Sequence, residues 1–213
     1  MKFCIIGLGR FGYQLAVSLA ENGMDVMGVD ENESIIASIR DQITQGVCIE
    51  IMDEASLRSI GVDEMDVVIV SMGEDFAQSI LITAILKKRL KVERVIARAI
   101  HEVHKEILTL IGADHVVLPE KEIGIKLADT LSSPFTDIIR MSHDFSINQM
   151  RAPLSFIGNT IRDLRLFEEY NIHCIAIKKD ERIYAIDPDH IVTEGDKLIF
   201  AGNNDDLTQL AKL

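Results

Sequence analysis

The sequence predicts an α/β protein in which a doubly wound parallel sheet is followed by a smaller α+β domain. Short apolar runs alternate with helical segments as far as residue 131, which is typical of a parallel sheet covered by helices on both faces. The alternation changes after Ser132-Ser133-Pro134, a cluster of small residues and proline that is typical of a domain boundary. We therefore expect a first domain over residues 1–134 and a second over residues 135–213.

The first domain opens with an apolar run from Lys2 to Gly7 that predicts a strand. Ala16 and Leu19 mark the apolar face of a following helix, which ends at Asn22-Gly23. Five further strands are expected at 25–30, 46–51, 66–72, 94–99 and 115–118. The remaining helices are expected at 33–40, 56–60, 76–90, 103–111 and 121–131. The run at 66–72 is nearly all β-branched and apolar, which indicates a central strand buried on both faces.

The second domain is predicted to contain shorter strands in hairpin-like succession. These strands are expected at 145–150, 173–178, 182–186 and 197–201. A helix is expected at 160–170, because Thr160 and Asp163 have the spacing of a helical capping box. A final helix is expected at 205–213.

Composition narrows the classes of function. Of the 213 residues, 47% are hydrophobic and 26% are charged, as in an ordinary globular protein, and the formal net charge is -12. An acidic surface repels nucleic-acid phosphates, so we expect no nucleic-acid partner. We expect no signal peptide before the first strand, and we expect no membrane span, because no run approaches the roughly 20 apolar residues that a span needs. Cys4, Cys48 and Cys174 are expected to be buried, reduced thiols of a cytoplasmic protein.

The loop Gly7-Leu8-Gly9-Arg10-Phe11-Gly12 lies between the first strand and the first helix, and this context makes the Gly-x-Gly-x-x-Gly pattern specific. Gly7 permits a tight turn, Gly9 lets the backbone approach a phosphate, and Gly12 lets helix and strand pack closely. The free N–H groups at the start of the helix favour an anion. The first domain is therefore predicted to be a Rossmann-like nucleotide-binding domain.

Two polar residues near this loop bear on which nucleotide binds. Asp30 ends the second strand, 18 residues after Gly12, where a carboxylate accepts hydrogen bonds from ribose hydroxyls and repels a 2′-phosphate. This favours adenosine nucleotides or NAD(H) over NADP(H); the alternative is that Asp30 only caps the next helix. Arg10 either reaches the terminal phosphates of ATP or is a solvated side chain at a permissive position.

Further candidates follow the carboxyl ends of the other predicted strands, where ligands bind in such sheets. They are Asp53 and Glu54 after the third strand, Ser71, Met72 and Gly73 after the fourth, Arg98 at the end of the fifth, and Glu120 after the sixth. Each is explained equally well as a helix cap or a surface charge.

Catalytic groups are not evident in the sequence. His173 and His190 have no obvious carboxylate partner, and His101 and His104 are expected to be helix-surface residues without a third metal ligand. A nucleotide site without a positioned acid or base indicates a sensor. Two alternatives stay open at this point: a small NAD-dependent oxidoreductase, and a nucleotide-responsive transcription regulator, which the acidic charge disfavours.

Several stretches together resemble the RCK (regulator of potassium conductance) subunits of bacterial Ktr and Trk potassium uptake systems. These stretches are 5–12, 26–30, 66–70, 111–114 with 119–121, and 194–198 with Gly202. The resemblance covers essentially the whole chain, and the length is similar to Ktr-type subunits with one RCK N-terminal and one RCK C-terminal domain. It implies a cytoplasmic regulatory subunit that is not an enzyme. Homodimers of such subunits assemble into an octameric ring beneath a membrane potassium-transporting subunit of the Trk/Ktr type.

The resemblance also implies ligands. ATP and ADP are expected first, with NAD(H), as in Trk-like members, or AMP as alternatives. It implies that Arg10 contacts the γ-phosphate, that Asp30 and Asn32 hold the ribose, and that Glu120 helps to bind a divalent cation, Mg²⁺ or Ca²⁺, between subunits. Cyclic di-AMP, which some relatives bind, is expected in the second domain near residues 161–163 and 170–176.

One departure from the family concerns the segment after the third strand. This chain has Glu50-Ile51-Met52-Asp53 where the family often has a turn of small residues near the adenine and ribose. The difference therefore concerns the residues that would contact the adenine. The candidate nucleotide contacts are, in full, Gly7, Gly9, Arg10, Phe11, Gly12, Asp30, Asn32, Asp53, Met72, Gly73 and Arg98. Glu120 is the candidate metal ligand, and no residue is expected to be catalytic.

Overall fold

The computed structural model describes residues 1–73, 75–132, 134–179 and 182–212. The chain divides into two compact units, Met1–Lys121 and Glu122–Leu213, and the division falls within helix α6 (Pro119–Leu131). Ser133 of the proposed boundary cluster and Leu213 of the proposed final helix lie outside the described residues. The domain boundary after residue 134 stays a prediction.

The first unit contains a six-stranded parallel sheet with the strand order β3-β2-β1-β4-β5-β6, which confirms the predicted fold class. Its strands are β1 (Lys2–Ile6), β2 (Asp25–Asp30), β3 (Gln45–Cys48), β4 (Val67–Val70), β5 (Arg94–Arg98) and β6 (His115–Val117). Its helices are α1 (Arg10–Glu21), α2 (Glu33–Ile39), α3 (Glu54–Ser59), α4 (Phe76–Ala84), α5 (Glu102–Ile111) and the start of α6.

Strands β1 and β4 are neighbours in the middle of this sheet, with Cys4 opposite Val68 and Ile6 opposite Val70. All four residues of β4 are buried, as predicted for a strand covered on both faces. Cys4 and Ile6 pack into one apolar cluster and Ile5 into another, because successive side chains of a strand point to opposite faces. Since the strand order reverses between β1 and β4, the loops after them frame the crevice in which ligands bind in such sheets.

The second unit is built on a five-stranded antiparallel sheet with the order β10-β9-β11-β8-β7. Its strands are β7 (Asp137–Arg140), β8 (Phe145–Arg151), β9 (His173–Lys179), β10 (Arg182–Ala185) and β11 (Lys197–Asn203), and its helices after α6 are α7 (Leu166–Tyr170) and α8 (Asn204–Leu210). Strand β11 pairs with both β8 and β9. Leu198 and Phe200 of β11 are fully buried, as are Ile172 and Leu207, so the core of this unit lies against β11.

The helix predicted over 76–90 is not continuous. Helix α4 ends at Ala84, and Ile85–Arg89 form a π-helical turn. Within this turn Lys87 Nζ donates to Val92 O at 3.2 Å and to Asp114 Oδ2 at 2.8 Å. The turn is thereby tied to the segments before β5 and β6, contacts that helical periodicity does not reveal.

The helix predicted over 160–170 is wrong in its first half, because α7 begins only at Leu166. The predicted pair does form: Asp163 N donates to Thr160 Oγ1 at 3.1 Å, and Thr160 Oγ1 donates to Asp163 Oδ2 at 2.6 Å. Thr160, however, forms a β-bridge with Ile191. Threonine and aspartate stabilise turns by the same local hydrogen bonds that cap helices, so their spacing alone does not distinguish the two.

Strand β7 was not predicted, because it is a four-residue edge strand whose side chains are mostly exposed. Cys4 is buried as expected, but Cys48 is exposed at the end of β3, which contradicts its expected burial. Cys174 is half-buried. In the described ranges, no helix combines the length and the apolar character that crossing a bilayer requires.

Candidate nucleotide-binding site

The glycine loop makes a tight connection between β1 and α1. Gly7 has a φ of 88°, in the left-handed region that favours glycine, and its N–H donates to Val29 O at 2.8 Å. A Cβ on Gly12 would lie 2.0 Å from Gly7 O, so a side chain there would push the helix away from the strand. The positive φ at Gly7 and the close approach of Gly7 O at Gly12 explain why the loop needs glycine at both positions.

Gly9 is the N-cap residue of α1, and the space beside it is open. A Cβ on Gly9 would meet no heavy atom within 4 Å among the described residues. No side chain of the described chain caps α1, and its first turn contains no acidic residue. Because the first N–H groups of a helix have no partner within the helix and carry partial positive charge, they attract an anion. The start of α1 therefore fits a phosphate group placed over Gly9.

Asp30, at the end of β2, holds the loop from one side. Its Oδ2 accepts a hydrogen bond from Leu8 N at 2.7 Å, and its Oδ1 accepts one from Asn32 N at 2.9 Å. Asn32, rather than Asp30, is the N-cap of α2, since its side chain accepts from Ser34 N at 2.9 Å. The explanation of Asp30 as a mere helix cap is therefore wrong. Its carboxylate is fixed beside the loop, with lone pairs left for further donors.

Arg10 is the first residue of α1, and its side chain is exposed. Its guanidinium makes no hydrogen bond or ion pair with the part of the chain that the structure describes. The neighbouring Phe11 is half-buried. The loop therefore presents one unpaired cation at its helical end, and a cation there is suited to a negatively charged ligand.

Arg98, at the end of β5, lies on the other side of the loop. Its Nη2 donates to Glu120 Oε1 at 2.5 Å, and its Cζ lies 5.9 Å from the centroid of the Phe11 ring. The Arg98 side chain is only 17% exposed, and its Nε is buried without a partner among the described residues. A Cβ on Gly73 would be 2.5 Å from Arg98 Nη1, so Gly73 makes room for the guanidinium.

Glu120 does not by itself fit a divalent cation. Its own backbone N–H, together with the Arg98 guanidinium, holds the pKa of this exposed carboxyl below its ordinary value. No group of three or more side chains suited to a metal ion occurs among the described residues. Because Ca²⁺ and Mg²⁺ take six or more oxygen ligands, this part of one chain supplies too few. The assignment of Glu120 as a metal ligand stays a prediction.

The structure explains Asp53 as a helix cap, whereas it places Met72 against the glycine loop. Asp53 is the N-cap of α3, where its Oδ1 accepts from Ser56 N at 2.9 Å, and this backbone hydrogen bond is the main cause of its lowered pKa. Capping accounts for Asp53 without a ligand, so its contact with a nucleotide stays a prediction. Met72 lies against the loop, since its Cγ would be 3.1 Å from a Cβ on Gly7.

Two expectations about histidines are wrong. His104 is fully buried rather than on the surface, with its ring edge-on to Phe76 at a centroid distance of 5.6 Å. Burial, followed by the charge of His101, lowers the pKa of His104. His190 does have a carboxylate partner, because its Nε2 lies 2.8 Å from Asp196 Oδ2. No sequence pattern predicts the contact of His104 with Phe76 or that of His190 with Asp196.

The fold and the loop together define a class of protein. The parallel sheet carries a glycine loop at the point where its strand order reverses. Asp30 holds this loop on the β2 side, and Met72 and Arg98 lie against it on the β4 and β5 side. This is the arrangement of a Rossmann-like domain of the nucleotide-binding type, here joined to a separate antiparallel unit.

Comparison with known proteins shows the family. The TrkA-N domain matches residues 3–119, and the TrkA-C domain matches residues 151–213. The chain is 32% identical to Ktr system potassium uptake protein C of Bacillus subtilis (strain 168), over 99% of this chain and 96% of that protein. It is 28% identical to Ktr system potassium uptake protein A of Vibrio alginolyticus, over 99% and 96% of the two chains. The chain belongs to this TrkA/Ktr family of potassium uptake proteins, which confirms that it is not an enzyme.

Solved structures of channels show the same fold. A structure of the GsuK channel bound to NAD matches with a TM-score of 0.57 and 25% sequence identity, over 99% of this chain and 38% of the channel chain. A structure of GsuK bound to ADP matches with a TM-score of 0.53 and 27% identity, over 61% of this chain and 33% of the channel chain. This chain thus spans only about two fifths of the channel's length.

Proposed function

We propose that the chain is the nucleotide-sensing regulatory subunit of a potassium uptake system. The Ktr relatives match it over both of its domains, which supports a role in potassium uptake. The observation that supports nucleotide sensing is the geometry of the glycine loop. The space beside Gly9 is free for a phosphate, whereas Gly12 packs directly against the Gly7 carbonyl oxygen. The subunit acts from the cytoplasm on a membrane potassium-transporting subunit of the Trk/Ktr type.

The sensed nucleotides are ATP and ADP, and Arg10 distinguishes them. Its guanidinium is exposed and unpaired at the start of α1, next to the space over Gly9. A γ-phosphate is present in ATP and absent in ADP, so a cation that contacts it adds affinity for ATP alone. A hydrogen bond to a charged group contributes about 1.5–3 kcal/mol, which is enough to shift a conformational equilibrium between the two nucleotide states.

Calorimetry with an Arg10→Ala variant tests this role. We expect the variant to lose about 10-fold or more in ATP affinity while its ADP affinity changes little, in line with one lost charged hydrogen bond. Arg94→Ala is the matched control, because Arg94 is also exposed but lies at the amino end of β5, at the opposite edge of the sheet. Equal losses for ATP and ADP in Arg10→Ala would contradict the γ-phosphate contact.

NAD(H) is the second candidate ligand, and the GsuK channel bound to NAD supports it. The fixed Asp30 carboxylate suits the adenosine ribose of NAD as well as that of ATP. The same calorimetric series, run with NAD and NADH, separates the candidates. Binding of NAD(H) that is tighter than that of ATP and unaffected by Arg10→Ala would favour the dinucleotide.

A homodimer that assembles into an octameric ring is the proposed oligomer. Helix α6 supports assembly, since none of its residues is buried within the described chain. Ile123, Leu127 and Leu131 lie four residues apart on it and are all exposed. An apolar row of this kind is typical of a surface that a partner covers. Cyclic di-AMP at 161–163 and 170–176 stays a further proposal.

Potassium flux tests the regulatory role directly. Proteoliposomes that contain a Trk/Ktr-type membrane subunit should take up potassium faster when the chain is added with ATP than with ADP. With the Arg10→Ala variant, the difference between the two nucleotides should disappear. Uptake that is independent of both the chain and the nucleotide would contradict the proposal.

A further inference from the structure

One end of the antiparallel sheet in the second unit carries cations on three neighbouring strands. Lys197 of β11 lies directly opposite Arg151 of β8 on one side and directly opposite Lys178 of β9 on the other. Residues that lie directly opposite each other in antiparallel strands point to the same face of the sheet, so these three side chains lie side by side. We call the three residues the cation row.

The cation row lies on the face of the sheet that points away from the core. The residues next to its members along the strands, Met150, Ile177 and Leu198, are buried in the core. Successive side chains of a strand point to opposite faces, so the cation row points outward. Arg151 is exposed, and the other two members are half-buried. The row is therefore accessible to a ligand that approaches the outer face.

The cation row has an electrostatic cost that an anion would relieve, because like charges directly opposite each other destabilise a sheet. The side chain of Arg151 makes no hydrogen bond or ion pair within the described ranges of the chain. Asp196 precedes Lys197 in the sequence. Its carboxylate, however, accepts hydrogen bonds from His190 Nε2 at 2.8 Å and Thr193 N at 3.0 Å.

We propose that the cation row binds a phosphate group, either of a small phosphorylated molecule or of a lipid headgroup. A phosphate carries its negative charge on several acceptor oxygens, so it can bridge one guanidinium and two ammonium groups. Neighbouring strands are about 4.8 Å apart, so the three long side chains can converge on one ligand. The net charge of -12 does not prevent binding, since exposed charges more than about 10 Å apart are largely screened.

This site is distinct from the other proposed sites of the chain. The glycine loop belongs to the first unit, whereas the cation row belongs to the second. The row also lies outside the segments 161–163 and 170–176 that are proposed for cyclic di-AMP. Failure of this inference would therefore leave the proposed nucleotide sensing unaffected.

Calorimetry of the full chain with inorganic pyrophosphate, in a buffer without other phosphates, tests the cation row. Arg151→Gln and Lys197→Gln should each weaken one binding event by about 10-fold or more, as expected for the loss of a charged hydrogen bond. Gly9→Ala should leave this event unchanged, which distinguishes it from pyrophosphate binding at the glycine loop. Lys212→Gln is the matched control, because Lys212 is exposed after α8 and lies outside the sheet.

Thermal midpoints distinguish a binding role of Arg151 from a structural one. Without pyrophosphate, Arg151→Gln should be at least as stable as the wild type, because it removes a charge that lies opposite a like charge. With pyrophosphate, the wild type should gain more stability than the variant, since the ligand binds only the folded chain. A midpoint of Arg151→Gln that is lower without pyrophosphate would overturn the proposal.

Co-sedimentation with lipid vesicles distinguishes the two sources of the phosphate. Vesicles of phosphatidylcholine alone are compared with vesicles of an equal mixture of phosphatidylcholine and phosphatidylglycerol. Sedimentation with the mixture that is lost in Arg151→Gln would assign the row to a lipid headgroup, whereas pyrophosphate binding without sedimentation would assign it to a soluble molecule. Pyrophosphate binding and sedimentation that are both unaffected by Arg151→Gln and Lys197→Gln would overturn the proposal.

Discussion

Gly9 and Gly12 of the same loop are subject to opposite steric constraints. A Cβ on Gly12 would lie 2.0 Å from Gly7 O and 2.8 Å from Ser71 Oγ, whereas a Cβ on Gly9 would meet nothing described within 4 Å. We predict that Gly12→Ala lowers the free energy of unfolding by about 1–3 kcal/mol, because α1 must move away from β1. Urea unfolding followed by circular dichroism measures this loss.

Gly9→Ala is the companion variant, because its extended backbone accepts alanine. Its stability should stay within about 0.5 kcal/mol of the wild type, as for most surface substitutions. Its nucleotide affinity should nevertheless fall, since the methyl group enters the space where a phosphate approaches the backbone. Equal stabilities of the two alanine variants would contradict the packing role assigned to Gly12.

Asp196 is a buried carboxylate in the second unit. Burial raises its pKa, but hydrogen bonds from His190 Nε2 at 2.8 Å and Thr193 N at 3.0 Å lower it further, so the pKa lies below its ordinary value. The folded-state pKa is thus lower than the unfolded-state value of about 3.9. Ionised Asp196 therefore stabilises the fold above that pH, and this contribution is lost as the pH falls through the lower folded-state value.

The acid dependence of stability checks this sign. In the wild type, thermal midpoints should fall as the pH drops below about 4, where the unfolded chain takes up the proton first. Asp196→Asn should be less stable at pH 7 and should lose less stability on acidification. Asp205→Asn, at an exposed position of α8, should keep the wild-type profile. Identical acid profiles for Asp196→Asn and the wild type would refute the assignment.

Local spacing predicts some of these residues and not others. The glycines and Asp30 form a pattern with fixed intervals within one strand-loop-helix-strand segment, so the sequence alone locates them. The contact between Arg98 and Glu120 joins the end of β5 to the start of α6, and it forms only when the sheet is complete. Both residues were candidates, but nothing in the sequence indicates that they are paired.

At the scale of elements, α6 differs from α1 to α5 because it buries none of its residues within the described chain. The exposed fractions of Ile123, Leu127 and Leu131 are 64%, 55% and 77%. Isolated exposed apolar residues are ordinary, but a row along one helix is typical of an interface. Helix α6 is therefore the element on which assembly is expected to depend.

We predict that Leu127→Glu shifts the chain from the assembled state toward monomer while its circular dichroism stays unchanged. A charge in an apolar interface must be desolvated without a partner, which disfavours association. Size-exclusion chromatography with light scattering measures the mass. Lys126→Glu is the control. It changes the net charge more than Leu127→Glu does, but residue 126 is not part of the apolar row, so this variant should assemble as the wild type does. Full assembly of Leu127→Glu would contradict a role for this row.

Elements with a strong apolar pattern were predicted well, and elements without one were not. Strand β4 is buried at every position, so its β-branched run was sufficient to predict it. Edge strand β7 has a mixed, mostly exposed pattern, and its short length adds no further signal. The start of α7 was misplaced because the Thr160–Asp163 pair stabilises a turn beside a β-bridge to Ile191.

For the whole molecule, the order of the two domains follows from the sequence, but their assembly does not. The change from strand-helix alternation to hairpin-like strands is visible along the chain, and family matches at 3–119 and 151–213 agree with two domains. The proposed assembly would involve surfaces such as the exposed row of α6, and no sequence pattern within one chain identifies what covers such a surface. Sequence patterns therefore predict the glycine-loop unit more fully than they predict the proposed assembly.

Thermal unfolding of the full chain with ATP, ADP and NAD tests nucleotide sensing most directly. A ligand at about 100 times its Kd that binds only the folded state adds about 2.7 kcal/mol of stability. For a chain of this size that corresponds to a rise of about 5–10 °C in the thermal midpoint. We predict a rise with ATP that exceeds the rise with ADP at equal concentration. An unchanged midpoint with every adenine nucleotide would contradict the assignment of the chain as a nucleotide sensor.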